Sequence, residues 1–181
     1  MGILPSAAVL EVGCGTGAIG QEMPQTRWYG VDKNRKNLRI ATNTLAGKPN
    51  FLVEAEAAYL PYARDSFELA YGHYISLWLP HPEVVIAEMR RVVRPGGWVA
   101  MFAEPDYLAR IDAPSEMARF GIEQNRSLRQ QGCTLDAGRK LAGNFVEAGL
   151  TSLHFGVVGG EWQLGQQDHM DCLLYTSDAA D

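Results

Sequence analysis

The segment VLEVGCGTG, Val9–Gly17, limits the possible folds of this chain more than any other: an apolar run ends in Gly13, Gly15 and Gly17 and passes directly into a helical pattern. Glycines at alternate positions let the backbone turn tightly and leave no Cβ in the way of an approaching ligand, while the next helix begins with unpaired N–H groups. A nucleotide-like ligand fits such a loop, and three alternating glycines argue against a bare structural turn. The spacing Gly13-x-Gly15-x-x-Ala18 also satisfies the dinucleotide fingerprint, so the loop alone does not choose between cofactors.

From that loop onward, apolar runs alternate with helical patterns, most of them separated by a turn signal, which is how βαβ units on a parallel sheet read. The patterns predict strands at about 8–13, 27–32, 50–55, 67–72, 97–104 and 151–158, and helices at about 17–24, 34–46, 82–93, 115–131 and 136–148. The expected fold is α/β: a three-layer α/β/α sandwich around a mostly parallel, twisted sheet. In the fourth helix, Met117, Phe120, Gly121 and Leu128 make an amphipathic stripe of moderate quality. At Arg94-Pro95-Gly96-Gly97 the proline cannot continue a helix and the glycines permit a reversal, so a helix-to-strand corner is expected.

The second motif, YGVDKN, places Asp32 at the end of the next strand, one crossover beyond the glycines. A carboxylate there can accept from both hydroxyls of a ribose, which suits NAD and S-adenosylmethionine equally. Asp32 also suits the N-cap of the helix expected from Asn34.

Charge and composition narrow the partners. A net charge of -5 gives no general attraction for polyphosphate, which argues against nucleic acid, and the stretch from Arg126 and Arg129 to Arg139-Lys140 reads as a solvated face. The 181 residues, 46% hydrophobic and 20% charged, fit one soluble domain, and no apolar run approaches the roughly 20 residues of a membrane helix. The first residues carry neither a basic flank nor a cleavage site, so a cytoplasmic address is expected. Cys14, Cys133 and Cys172 form no CxxC and no metal spacing, so neither a disulfide framework nor a metal site is expected.

The remaining segments, FLVEAEAAYLPY from Phe51 and DSFELAYGHYISLWLPHPEVVIAEMRRVVRPGGWVAMFAEPD from Asp65, come in a telling order after VLEVGCGTG and YGVDKN. From about Val9 to Val158 the chain resembles the class I S-adenosylmethionine-dependent methyltransferases. The resemblance implies that cofactor, and methyl transfer to a small-molecule acceptor. It places Glu11 near the methionine end of the cofactor and the loop of Gly13, Cys14, Gly15 and Gly17 against it. Asp32, followed by Lys33, falls to the ribose. The Glu56 side chain and the Ala57 backbone N–H fall to the adenine, although the family has Gly-Asp where this chain has Ala55-Glu56.

Gly72 and His73 match the end of the fourth strand, on the edge where open α/β sheets bind ligands, and count with the cofactor contacts. Tyr74, Glu104, Asp106 and Tyr107 lie in loops of the same edge as candidate substrate contacts. Methyl transfer from a sulfonium needs little covalent help; a hydroxyl or acid acceptor would use a general base, for which His73 is the first candidate. A histidine packed beside the cofactor is an equally good reading of His73, and His81 reads as structural. Glu104 and Asp106 can bind a cationic acceptor or orient a base; turn chemistry around Pro105 with an ion pair to Arg110 explains them as well. Trp78, Trp98 and Trp162 read as packing or pocket cover.

Two rival readings remain open at this point: an NAD-dependent oxidoreductase, supported by the glycine loop and Asp32 alone, and a non-catalytic S-adenosylmethionine-binding domain. Residues 1–171 read as the methyltransferase domain and 172–181 as a non-native tail, because Cys172–Ser177 can be encoded by TGT CTC TTA TAC ACA TCT, which resembles a transposon end used in sequencing adaptors. The family's pattern also has a helix before the first strand and a closing two-strand hairpin, so truncation at both ends is expected, with a chain that is poorly stable or inactive in isolation.

Overall fold

The computed structural model describes residues 7–23, 27–48 and 50–156, within which five strands form one sheet. They are β1 (Ala8–Val12), β2 (Arg27–Asp32), β3 (Asn50–Glu54), β4 (Phe67–His73) and β5 (Val93–Phe102), in the order β3-β2-β1-β4-β5. Every pairing is parallel. Parallel neighbours need crossovers, and α1 (Ala18–Glu22), α2 (Arg35–Thr44) and α3 (Pro82–Val92) supply three of them, while residues 55–66 return from β3 to β4 without a helix. The chain winds outward from β1 to β3 and then restarts on the other side of β1, so the order reverses between β1 and β4. That reversal is where sheets of this kind open a crevice.

β1 is buried along its whole length, as the central strand of a covered parallel sheet must be. Its side chains alternate between two layers. Ala8, Leu10 and Val12 join Val85, Met89 and Val92 of α3, whereas Val9 joins Leu69, Tyr71 and Ile19 on the opposite face. Helix starts follow local chemistry: the Asn34 side chain accepts from the Lys36 N–H at 3.0 Å to begin α2, and Pro82 opens α3. Asn34, and not Asp32, therefore caps α2.

The Arg94–Gly97 corner takes a form that the sequence did not suggest. Strand pairing begins at Val93, opposite Phe67, and resumes with Trp98 opposite Leu69, so residues 94–97 bulge out of one long strand, with Gly96 at a φ of 77°. The fourth predicted helix divides into a 3₁₀ turn (Ser115–Met117) and α4 (Ala118–Gln130). Within its stripe, Gly121 is buried and Leu128 packs with Leu77, Cys133 and Leu135, whereas Met117 and Phe120 are exposed. The last described helix, α5 (Ala137–Glu147), packs against α3.

No strand forms over Thr151–Gly156, where one was expected; residues 157 and 158, Trp162 and the tail at 172–181 lie outside the described residues. Alternating polarity marks a two-faced segment, but a strand also needs a ladder partner. Among the described residues no helix is long and apolar enough to cross a membrane, and no group of three His, Cys, Asp or Glu could hold a metal ion.

Gly30 lets the layer beneath the sheet close. A Cβ there would overlap the Trp28 ring tip and sit 2.8 Å from Cys14 Sγ. Trp28 cannot swing aside, because it is 3% exposed and its Nε1–H is bonded to Tyr71 Oη. Gly30→Ala is expected to cost about 1–3 kcal/mol of stability by overpacking, read as a lower midpoint in urea unfolding.

Candidate functional site

The glycine loop leaves β1 at the reversal point, and its three glycines serve three different ends. Gly13 and Cys14 both donate backbone N–H groups to Val31 O, at 2.7 and 2.9 Å, which bends the chain sharply over the end of β2. With φ at 73°, Gly13 also lies against Ile75, whose Cγ1 would be 3.0 Å from a Cβ. Gly17, at φ 80°, packs on Ala41 of α2 and on Leu45 just past its end, so it brings α1 close to its neighbour. Gly15 differs: nothing stands within 4 Å of where its Cβ would be, and its N–H donates to Asp32 Oδ2 at 2.8 Å. This is the glycine past which a ligand can approach.

Asp32 holds the loop and the end of β2 together. Its other oxygen accepts from the Asn34 N–H at 2.7 Å, and its carbonyl accepts from the Ala55 N–H at 3.2 Å. The end of β3 is thereby tied to the end of β2, with Glu56 exposed and Ala57 half-buried in the turn that follows. Lys33 is exposed beside them. Gly13, Asp32 and Glu56 thus belong to one edge of the sheet. The Cys14 side chain turns inward to Trp28, Leu38 and Leu45, and burial pushes its thiol pKa well up, so any contact it makes with a ligand runs through its backbone.

Glu11 is a carboxyl 2% exposed inside the sheet. Tyr71 Oη–H donates to its Oε2 at 2.7 Å, and Trp28 Nε1–H donates to Tyr71 Oη at 3.1 Å, a buried chain across β2, β4 and β1. Burial raises the Glu11 pKa from 4.5 to about 7, against the lowering effect of the Tyr71 bond. The sequence reading passed over Tyr71 and Trp28. The signal for Tyr71 is register, since it stands opposite Glu11, and Trp28 reaches the chain through the Tyr71 hydroxyl; register is not visible in one strand alone.

The other half of the edge is made by the ends of β4 and β5. Gly72 is paired with Val12 and Met101, and a Cβ on it would meet Ile75 Cγ2 at 2.7 Å and Met101 Sδ at 2.8 Å. His73 follows, half-buried and opposite Phe102. Tyr74 and Ala103 both take left-handed backbone, φ 56° and 54°, a conformation that costs non-glycine residues on the order of 1–2 kcal/mol. Such strain gathers at ligand-binding edges. Tyr74 Oη and Tyr107 Oη share a hydrogen bond, and burial followed by that bond pushes the Tyr74 phenol up.

Glu104 and Asp106 both have partners within the protein. Glu104 Oε1 accepts from the Ile75 N–H at 3.0 Å, and Oε2 accepts from the Ser76 N–H at 2.8 Å and its hydroxyl at 2.5 Å. Asp106 receives Arg139 through Nε at 2.5 Å and Nη2 at 2.9 Å, which holds its carboxyl below the usual range. Arg139 is therefore an anchor and not part of a purely solvated face, and Arg110 pairs with Asp112 in place of Asp106. Arg126 fits the solvated reading: it is 70% exposed, beside Glu123. His81 precedes α3, exposed, with its Nδ1 3.4 Å from Glu83. Trp78 and Trp98 are each nearly half exposed.

The sequence pattern described as a methyltransferase domain matches residues 10–101, half of the chain, and covers the glycine loop, Asp32, the Glu56 turn, the end of β4 and all but the last residue of β5. The chain belongs to the methyltransferase-domain family. Sterol 24-C-methyltransferase of Schizosaccharomyces pombe is 29% identical over 160 residues, covering 81% of this chain and 42% of that protein. The ubiquinone/menaquinone biosynthesis C-methyltransferase of Cupriavidus taiwanensis is 33% identical over 107 residues, covering 54% of this chain and 43% of that protein. The chain thus spans less than half the length of each. A solved S-adenosylmethionine-dependent methyltransferase from Thermotoga maritima shares the fold, with a TM-score of 0.62 at 19% identity over 83% of this chain and 67% of that one.

Membership in this methyltransferase family implies S-adenosylmethionine and removes the ambiguity that the glycine loop and Asp32 leave between that cofactor and NAD. The residues present fit the group. Gly15 leaves the open approach that an adenosine needs, Asp32 offers a carboxylate at the same edge, and Glu11 supplies a buried acid in β1 two residues before the loop.

Proposed function

We propose that this chain is the cofactor-binding domain of an S-adenosylmethionine-dependent methyltransferase acting on a small-molecule acceptor, within residues 1–171. The observation that carries the reading is the Gly15–Asp32 pair: an unobstructed glycine whose N–H is held by a carboxylate at the reversal point of the sheet. Asp32 binds the ribose hydroxyls, Glu56 and the Ala57 N–H meet the adenine, and Glu11 with the Gly13–Gly17 loop faces the methionine end. When bound, the cofactor supplies an activated methyl group on a sulfonium. Gly72 and His73 meet the cofactor from the end of β4, Tyr74 contacts the acceptor beside them, and His73 takes the proton of a hydroxyl acceptor.

Two relatives are named for a sterol and for ubiquinone/menaquinone biosynthesis, which supports a small acceptor over nucleic acid, as does the net charge of -5. A cytoplasmic address and an adaptor-derived tail at 172–181 belong to the same reading. Calorimetric titration with S-adenosylhomocysteine and with NAD tests it. Binding of the first and not the second is expected, and NAD binding alone would overturn the assignment; label transfer from methyl-labelled cofactor into cell extract reports the acceptor wherever the chain proves active.

A further inference from the structure

The segment after β5 joins three parts of the ligand-binding edge. Tyr107 Oη meets Tyr74 Oη, the Tyr107 N–H donates to Leu135 O at 2.8 Å, the Gly138 N–H donates to Pro105 O at 2.9 Å, and Arg139 grips Asp106. At its start, Glu104 spends both oxygens on the residues just past β4, the Ile75 and Ser76 N–H groups and the Ser76 hydroxyl. Ser76 is 1% exposed, so water competes poorly for these bonds. Ile75 in turn is the side chain that fills the space over both Gly13 and Gly72. A Cβ on either glycine would strike it. The position of Ile75 therefore sets the wall of the cleft between β1 and β4, and Ile75 N–H is held by Glu104.

We propose that Glu104 is a positioning residue: by fixing the Ile75 and Ser76 backbone it holds the wall against Gly13 and Gly72, and it couples the cofactor cleft to the post-β5 segment on the acceptor side. The proposal rests on the cofactor reading above, and it assigns Glu104 a task other than direct contact with an acceptor. A carboxylate suits it, because three donors converge on two oxygens and only an ionised acid accepts on both sides without presenting a donor of its own. Glu104→Gln keeps the shape but turns one oxygen into an NH₂ group that faces an N–H.

The test uses the full chain labelled with ¹⁵N. In Glu104→Gln, amide exchange at Ile75 and Ser76 is expected to rise about tenfold, with exchange at Leu10 and Val31 in the core unchanged, and S-adenosylhomocysteine affinity to fall about tenfold. Unchanged exchange at 75 and 76, with only the acceptor KM raised, would overturn the proposal in favour of a substrate contact. Faster exchange at 75 and 76 with unaltered S-adenosylhomocysteine affinity would also overturn it, since the wall would then not depend on the clamp. If the parent chain bound no S-adenosylhomocysteine at all, the cofactor reading would fall, while the exchange result would still report whether Glu104 holds the loop. Should Glu104→Gln exchange fast throughout the core, Ser76→Ala, which removes only the hydroxyl donor, carries the test. A several-fold local rise at residues 75 and 76 with weaker S-adenosylhomocysteine binding supports the clamp, and no change in either refutes it.

Discussion

Asp32→Ala is expected to weaken S-adenosylmethionine binding by more than a hundredfold while leaving the chain folded. The substitution removes the partner of the Gly15 N–H at 2.8 Å and of the Asn34 N–H at 2.7 Å, and with them the carboxylate that would meet the ribose. Hydrogen bonds to a charged group contribute about 1.5–3 kcal/mol each, so losing two on the ligand side amounts to roughly 3 kcal/mol or more, which is over two decades in affinity. The fold should survive, because Asp32 is half-buried at a strand end, α2 has its own cap in Asn34, and the β1–β2 ladder is untouched. Calorimetry with S-adenosylhomocysteine, alongside urea unfolding, measures both quantities. An affinity within threefold of the parent would remove Asp32 from the cofactor site.

Glu11→Gln is expected to change the pH dependence of stability more than any other single substitution in the core. Burial raises the folded-state pKa of Glu11 from 4.5 to about 7. Below pH 4.5 both folded and unfolded chains carry the proton, and the group contributes no difference. Between 4.5 and about 7 the unfolded chain has lost the proton and the folded one keeps it, so stability falls as pH rises. Above about 7 the loss is complete, on the order of 3 kcal/mol for a shift of this size. Glutamine never ionises and can still accept from Tyr71 Oη–H. The variant should therefore gain about 1–2 kcal/mol at pH 8, after discounting for its extra N–H donors, and gain nothing at pH 4.5. Urea midpoints at pH 4.5, 6 and 8 give the slopes; parallel slopes for parent and variant would refute the account. A buried carboxyl that lowers the stability of its own fold near neutral pH is one that packing alone does not favour.

The parts of the site that were legible in the sequence are those set by local backbone demands. Gly13, Gly15 and Gly17 all take left-handed backbone, a demand that operates within a few residues, and Asp32 had to follow its strand. The ends of β2, β4 and α3 fell near their predicted places because apolar periodicity and Pro82 act locally too. What escaped were relations between distant segments. Glu104 and Asp106 read either as substrate contacts or as turn residues paired with Arg110, yet their partners, Ile75, Ser76 and Arg139, lie about thirty residues away on either side. Arg139 read as solvated for the same reason. The Arg94–Gly97 turn was visible as a turn, but not that Val93 pairs before it, and the segment from Thr151 could not announce that no strand forms over its described residues, 151–156.

By itself the sequence determined the alternating α/β architecture, the glycine loop and the acid that follows it, since periodicity, glycine conformations and strand-end carboxylates are properties of short stretches of chain. The tertiary structure alone decided which polar groups are free. Parallel register put Tyr71 on Glu11, Trp28 joined them through the Tyr71 hydroxyl, and the crossover from β4 to β5 put Glu104 on the Ile75 and Ser76 amides, because neighbours in a parallel sheet are separated in sequence by a whole crossover.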